Sequence, residues 1–144
     1  MRYINKLLLV DVKDNVAIIT INNPPLNILT LSLSTEMRDT FHRIEEDDRV
    51  RVVVLQGGGE KAFCVGADIK EFPTVWDDVI GKKLMNENLA IDSIELLEKP
   101  VIAAMEGNVL GGGCEIAMAT DIRFMSETGH IGQPEINLGV FPGS

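Results

Sequence analysis

The chain opens on two short apolar runs, Leu7–Val12 and Val16–Ile21, separated by Lys13-Asp14-Asn15. Both are rich in β-branched residues and the divider is short and polar, a pattern that predicts a β-hairpin. Asn22-Asn23-Pro24-Pro25 then blocks both helix and ladder, so the chain must loop. Past Thr30 or Ser32, either of which can cap a helix, Leu33, Met37, Phe41 and Ile44 recur at helical spacing. Glu36, Arg38, Asp39, Arg43 and Glu45 fall on the face toward water, and the Glu45–Asp48 charge run ends the helix there. His42 sits among these charges without a partner acid or nucleophile, which marks it as a solvated residue.

From Arg51 to Gln56 the apolar run is nearly continuous, as in a parallel strand covered on both faces. Strand, helix and strand in this order imply a right-handed crossover. Gly57-Gly58-Gly59 ends the strand, and Gly66-Ala67-Asp68 predicts a tight turn with free amides, Asp68 capping a short helix. Phe72–Asp78, with Pro73 and Trp76, reads as a loop or lid in which the single Trp packs. A helix is expected from about Gly81 to Glu98, with Leu84, Ile91, Ile94 and Leu97 on one side, ended by Pro100. Val101–Met105 is a strand, a small-residue helix continues through Ala119, and Asp121–Met125 is a further strand. The stretch from Gly129 to Ser144 is punctuated by Gly and Pro, has almost no periodicity, and looks cut rather than finished.

Between the strand at Val101 and that helix lies Gly111-Gly112-Gly113. Consecutive glycines cost backbone entropy. One return is ligand binding: amides at a helix N-terminus can face a group carrying negative charge, with Glu115 one turn in. The other is tight packing of strand on helix. The residues alone leave both open.

Composition narrows the partners. The 144 residues are 45% hydrophobic and 24% charged with a net charge of −9, which fits one domain with a real core. The acidic balance argues against nucleic acid or an anionic membrane surface, so a polyanionic ligand would rely on backbone amides and a few lysines. No apolar run approaches the roughly 20 residues needed to span a bilayer. The first residues lack a signal-peptide core, and the chain reads as cytoplasmic. Cys64 and Cys114 read as two buried thiols without a histidine partner, and His42 and His130 show no metal-ligand spacing.

Three ordered segments, Ala62–Lys70, Gly107–Glu115 and Gly132–Gly139, resemble the enoyl-CoA hydratase/isomerase (crotonase) superfamily. The likeness covers nearly the whole chain, and Asn22–Leu29 resembles the family's early Pro-rich loop without the lysine many members carry there. The resemblance implies an α/β fold, a ββα spiral of the ClpP/crotonase type, acting on thioesters of coenzyme A and assembling as homo-trimers or hexamers. It implies an oxyanion hole from the amides of Ala67 and Gly112, an acid/base pair of Glu115 and Glu135, and a water-positioning amide at Gly143. Leu26, Val65, Asp68, Ile69, Lys70, Gly111 and Pro134 would contact the substrate. Coenzyme A would enter as part of the substrate, with no resident cofactor or metal. Against this stand plainer roles: Asp68 shaping its turn, Lys70 as a surface lysine, Glu115 stabilising a helix dipole and Glu135 as a loop acid. Members usually run on into helices that complete the pocket, so residues 1–144 are expected to be a spiral core lacking that part, and on their own to self-associate and turn over little substrate.

The chemistry fits such residues. Adding water to a 2-enoyl thioester develops charge on the thioester oxygen, which two fixed N–H donors offset; losing one typically costs about 2.7–4 kcal/mol. Two carboxyl groups around one water can take its proton and supply another to C2, and would titrate as a coupled unit. Both acid positions being Glu favours a hydratase; the alternatives are a double-bond isomerase or dienoyl-CoA hydratase of the same superfamily, or an inactive fragment.

Overall fold

The computed structural model describes residues 2–4 and 6–143, with side chains from residue 6 onward; Ser144, the end of the punctuated stretch, lies outside the described residues. The hairpin forms between β2 (Leu8–Lys13) and β3 (Val16–Ile21). Asp14 and Asn15 take φ of 50° and 65°, the left-handed pair whose twist matches that of the strands. A three-residue β1 (Arg2–Ile4), too short to show in the hydrophobic pattern, pairs with β2.

Thr30, not Ser32, caps α1 (Leu31–Glu45), its hydroxyl accepting from the Leu33 N–H at 3.1 Å. Leu33, Met37, Phe41 and Ile44 are all buried, whereas His42 is exposed. The crossover delivers β4 (Val52–Gly57) parallel to β3. β6 (Val101–Met105) and β8 (Ile122–Met125) continue the large sheet in parallel, giving the order β1-β2-β3-β4-β6-β8. A second, parallel sheet holds β5 (Ala62–Cys64), β7 (Asn108–Leu110) and β9 (His130–Gly132). Each passage therefore lays one strand in the large sheet and one in the small sheet, then a helical segment. These segments are α2 (Met85–Glu95), α3 (Gly112–Met118) and a 3-10 helix (Pro134–Leu138). This is the ββα spiral that the resemblance implies.

Three expectations need correction. β4 is not covered equally on both faces: Val53 and Leu55 are fully buried against the helices, while Val52 and Val54 are half-buried on the far side. The helix expected over Gly81–Glu98 is a wide π turn, Ile80–Leu84, running into α2, which stops at Glu95. Pro100 disfavours helix at Lys99, but α2 has already closed, the Leu96 N–H donating to the Asp92 and Ile94 carbonyls. Trp76 is 77% exposed; Val75, at 5%, is the residue that turns inward from that surface segment.

Gly113 shows what the triple glycine does for packing. A methyl group there would overlap the carbonyl of Cys64, which ends β5, so α3 lies directly on the small sheet. We expect Gly113→Ala to lower stability by about 1–3 kcal/mol through overpacking. Urea unfolding of the variant beside the wild type measures this, and an unchanged midpoint would contradict the packing.

Candidate functional site

Two backbone turns, one following each of two neighbouring strands of the small sheet, build the site. After β5, Gly66 takes φ +90°. Ala67 is held by an isolated parallel bridge to Leu29: the Leu29 N–H donates to Gly66 O at 2.8 Å and the Asp68 N–H donates to Leu29 O at 2.9 Å. The Asp68 carboxylate accepts from the Lys70 N–H at 2.9 Å and caps the 3-10 helix Ile69–Thr74. After β7, Gly111 takes φ +54° and donates to Gly132 O at 3.0 Å, and α3 begins.

These turns meet backbone to backbone. A Cβ on Gly66 would stand 2.9 Å from the Gly112 nitrogen, and a Cβ on Gly112 would stand 3.7 Å from the Ala67 nitrogen. Neither the Ala67 nor the Gly112 N–H has a hydrogen-bond acceptor among the described residues. The three glycines therefore differ by position: Gly113 packs against β5, while Gly111 and Gly112 border a cavity.

That cavity has a volume of about 490 Å³. Glu115, one turn into α3 and 5% exposed, lies on its wall. Glu135 reaches it from the 3-10 helix after β9, its Oε1 lying 2.5 Å from where a Gly111 Cβ would be. Oε2 of Glu135 is buried with no hydrogen-bond partner among the described residues. Of the other residues singled out from the sequence, Val65, Ala67, Ile69, Gly111, Gly112, Pro134 and Gly143 line the cavity. Leu26, Asp68 and Lys70 do not, although the Leu26 carbonyl accepts from the Val65 N–H at 3.2 Å and so borders the lining.

Sequence reasoning missed one wall. Phe72, Leu84, Glu87, Leu138, Val140 and Phe141 also line the cavity. Behind Glu87 stands Lys83, fully buried, its Nζ 3.0 Å from Glu87 Oε1, 3.2 Å from Glu71 Oε2 and 5.4 Å from the centre of the Phe72 ring. Glu71 also accepts from the Leu31 N–H at 3.0 Å, tying this group to the start of α1. Lys83 and Glu87 are four residues apart, a spacing that in sequence looks like an ordinary surface pair. Burial raises the Glu87 carboxyl above its usual range, with Lys83 pulling the other way.

The sequence profile of the enoyl-CoA hydratase/isomerase family matches residues 11–144. The chain belongs to that family. Among its relatives, the short-chain-enoyl-CoA hydratase of Clostridium acetobutylicum is 48% identical over 130 residues, covering 89% of this chain and 49% of its own length. The crotonyl-CoA hydratase of Syntrophomonas wolfei is 35% identical, over 99% of this chain and 55% of its own. The crystal structure of an enoyl-CoA hydratase from Bacillus anthracis superposes with a TM-score of 0.90 at 36% identity, over 96% of this chain and 54% of that one. The chain spans about half the length of the curated relatives it matches. Among the described residues, no helix is long and apolar enough to cross a membrane.

Both thiols beside the site of this family member are buried and unbridged. Burial pushes Cys64 up to about 12; Cys114 is raised by burial first and then by the charges of Glu115 and Glu135. At pH 8 the Cys64 thiol therefore stays protonated and unreactive. We expect iodoacetamide to leave Cys64 unlabelled in the native protein at pH 8 and to label it readily in urea. Rapid native labelling, located by peptide mass, would contradict this.

Proposed function

We propose that this chain carries the reaction centre of an enoyl-CoA hydratase, adding water across the 2,3 double bond of a 2-enoyl-CoA thioester to give a 3-hydroxyacyl-CoA. One observation carries the reading: two amides without acceptors meet at a cavity whose wall holds two glutamates, Glu115 from the same helix as the Gly112 amide and Glu135 from the 3-10 helix after β9. The Ala67 and Gly112 N–H groups receive the thioester oxygen and offset the charge that develops there. Because they are backbone groups held by the Leu29 bridge and by the start of α3, they need no reorganisation during the reaction.

Glu115 and Glu135 hold the water between them. As its oxygen bonds to C3, one carboxylate takes the proton it loses, and a proton is delivered from the other carboxyl to C2, so the pair ends with the protons it began with. The amide of Gly143, whose carbonyl accepts from Asn88 Nδ2 at 3.3 Å, helps hold that water. Val65, Ile69, Gly111 and Pro134 contact the acyl-thioester. Leu26, Asp68 and Lys70, on the neighbouring loop surface, face the coenzyme A portion, Lys70 toward a phosphate. Coenzyme A arrives as part of the substrate, with no resident cofactor. Exposed large apolar residues such as Ile122, Phe124 and Ile136 support assembly into a homo-trimer or hexamer, and we place the protein in the cytoplasm. Two acids at one cavity favour hydration over isomerisation, for which a single proton carrier suffices.

Glu115→Gln and Glu135→Gln, each made in the intact gene product, should lower kcat for crotonyl-CoA hydration by about 10²–10⁴ with a smaller change in KM. Loss of the conjugated-thioester absorbance measures the rate. Near-wild-type turnover by either variant would overturn the assignment.

A further inference from the structure

The proposed reaction uses Glu115 and Glu135 and leaves the third glutamate of the cavity without a task. Glu87 is 3% exposed and belongs to an otherwise apolar wall of Phe72, Leu84, Val140 and Phe141. Its Oε1 lies 3.0 Å from Lys83 Nζ but accepts no aligned hydrogen bond from it or from any other described residue. Lys83 is also engaged by Glu71 and lies over the Phe72 ring. The pair is thus an ion contact that leaves the carboxylate with room to accept from a further donor. A hydroxyl in the cavity can supply that donor, and plain hydrocarbon would not.

We propose that Glu87 is a specificity-determining residue of the acyl pocket, selecting enoyl chains that carry a hydroxyl group beyond the reacting double bond over unsubstituted alkyl chains. A hydroxyl suits the site in either protonation state: it donates to an ionised carboxylate and can accept from a neutral carboxyl. An anionic chain end would instead meet the charges of Glu71 and of ionised Glu87 with only Lys83 to balance them. A site with a buried group that expects a hydrogen bond rejects the analogue lacking it far better than an apolar pocket rejects an extra methylene. The inference rests on the proposed thioester substrate, but it concerns selection rather than the chemical step.

The test uses the intact gene product as wild type, Glu87→Gln and Glu87→Leu. Saturated, unreactive acyl-CoA thioesters in a series of lengths, with and without a terminal hydroxyl, are titrated calorimetrically, and hydration of the matching 2-enoyl thioesters is followed in parallel. At the best length the wild type should bind the hydroxylated chain about ten- to a hundredfold more tightly than its alkyl counterpart. Glu87→Gln should lower that ratio severalfold and Glu87→Leu should bring it to about one. Equal affinities in the wild type, or a ratio that survives Glu87→Leu, would overturn the proposal. If the leucine variant does not fold, an unchanged ratio in Glu87→Gln overturns it alone. Discriminating binding without hydration would sink the hydratase reading and leave this one standing; hydration without discrimination would do the reverse, and failure to bind either series would remove both.

Discussion

Everything at the candidate site depends on the contact between two turns that lack side chains. Gly66 and Gly112 approach so closely that a methyl on Gly66 would collide with the Gly112 nitrogen. Separating them by the width of one Cβ would part the two amides and shift the start of α3, and Glu115 with it. The contact exists because β5 and β7 are parallel neighbours, so the loops leaving them emerge side by side. Parallel sheets place their crevices at the carboxyl ends of strands for the same reason. The third strand, β9, brings Glu135 to the crevice by the same geometry, and the Gly111–Gly132 hydrogen bond fixes how far apart the second and third turns can lie.

Charge in this region is handled in two ways. Glu115 sits in the first turn of α3, where the helix dipole favours a carboxylate. Lys83 is taken fully out of water and surrounded by Glu71, Glu87 and an aromatic face. A buried pair of this kind repays its desolvation only when its remaining hydrogen-bonding positions are filled. Glu71 meets that condition through the Leu31 amide, whereas Glu87 Oε1 does not. The same cluster joins the 3-10 helix, the π turn and the start of α1, so one cation organises a wall assembled from three separate segments.

Elements that carry a hydrophobic pattern of their own were legible in the sequence, and the three-residue strands were not. β3 and β6 occupy the runs their hydrophobic pattern marks, and α1 carries its apolar stripe as spaced. β5, β7 and β9 have three residues each, too few for a period-two alternation to register, so the small sheet was visible only through the family likeness. The glycine turns and both glutamates stood out as motifs. Their convergence did not, because Glu115 and Glu135 are brought together by β8 and β9 rather than by local spacing. Glu87 and Lys83 escaped notice for a related reason: opposite charges one helical turn apart usually lie in water, and only the tertiary cover of Phe72 and its helix takes these inside. Trp76 misled in the other direction, since composition favours a packed Trp and the chain instead turns Val75 inward.

The coil arrangement of the two sheets also bears on how the molecule comes apart. Each rung of strand, strand and helix rests chiefly on the rung before it and the rung after it, as in stacked-repeat proteins, whose cohesion is a sum of intrinsic and adjacent-rung couplings. Damage to one rung is therefore felt most by the two that flank it, and opening free energies grade along the coil axis instead of being shared equally by every residue.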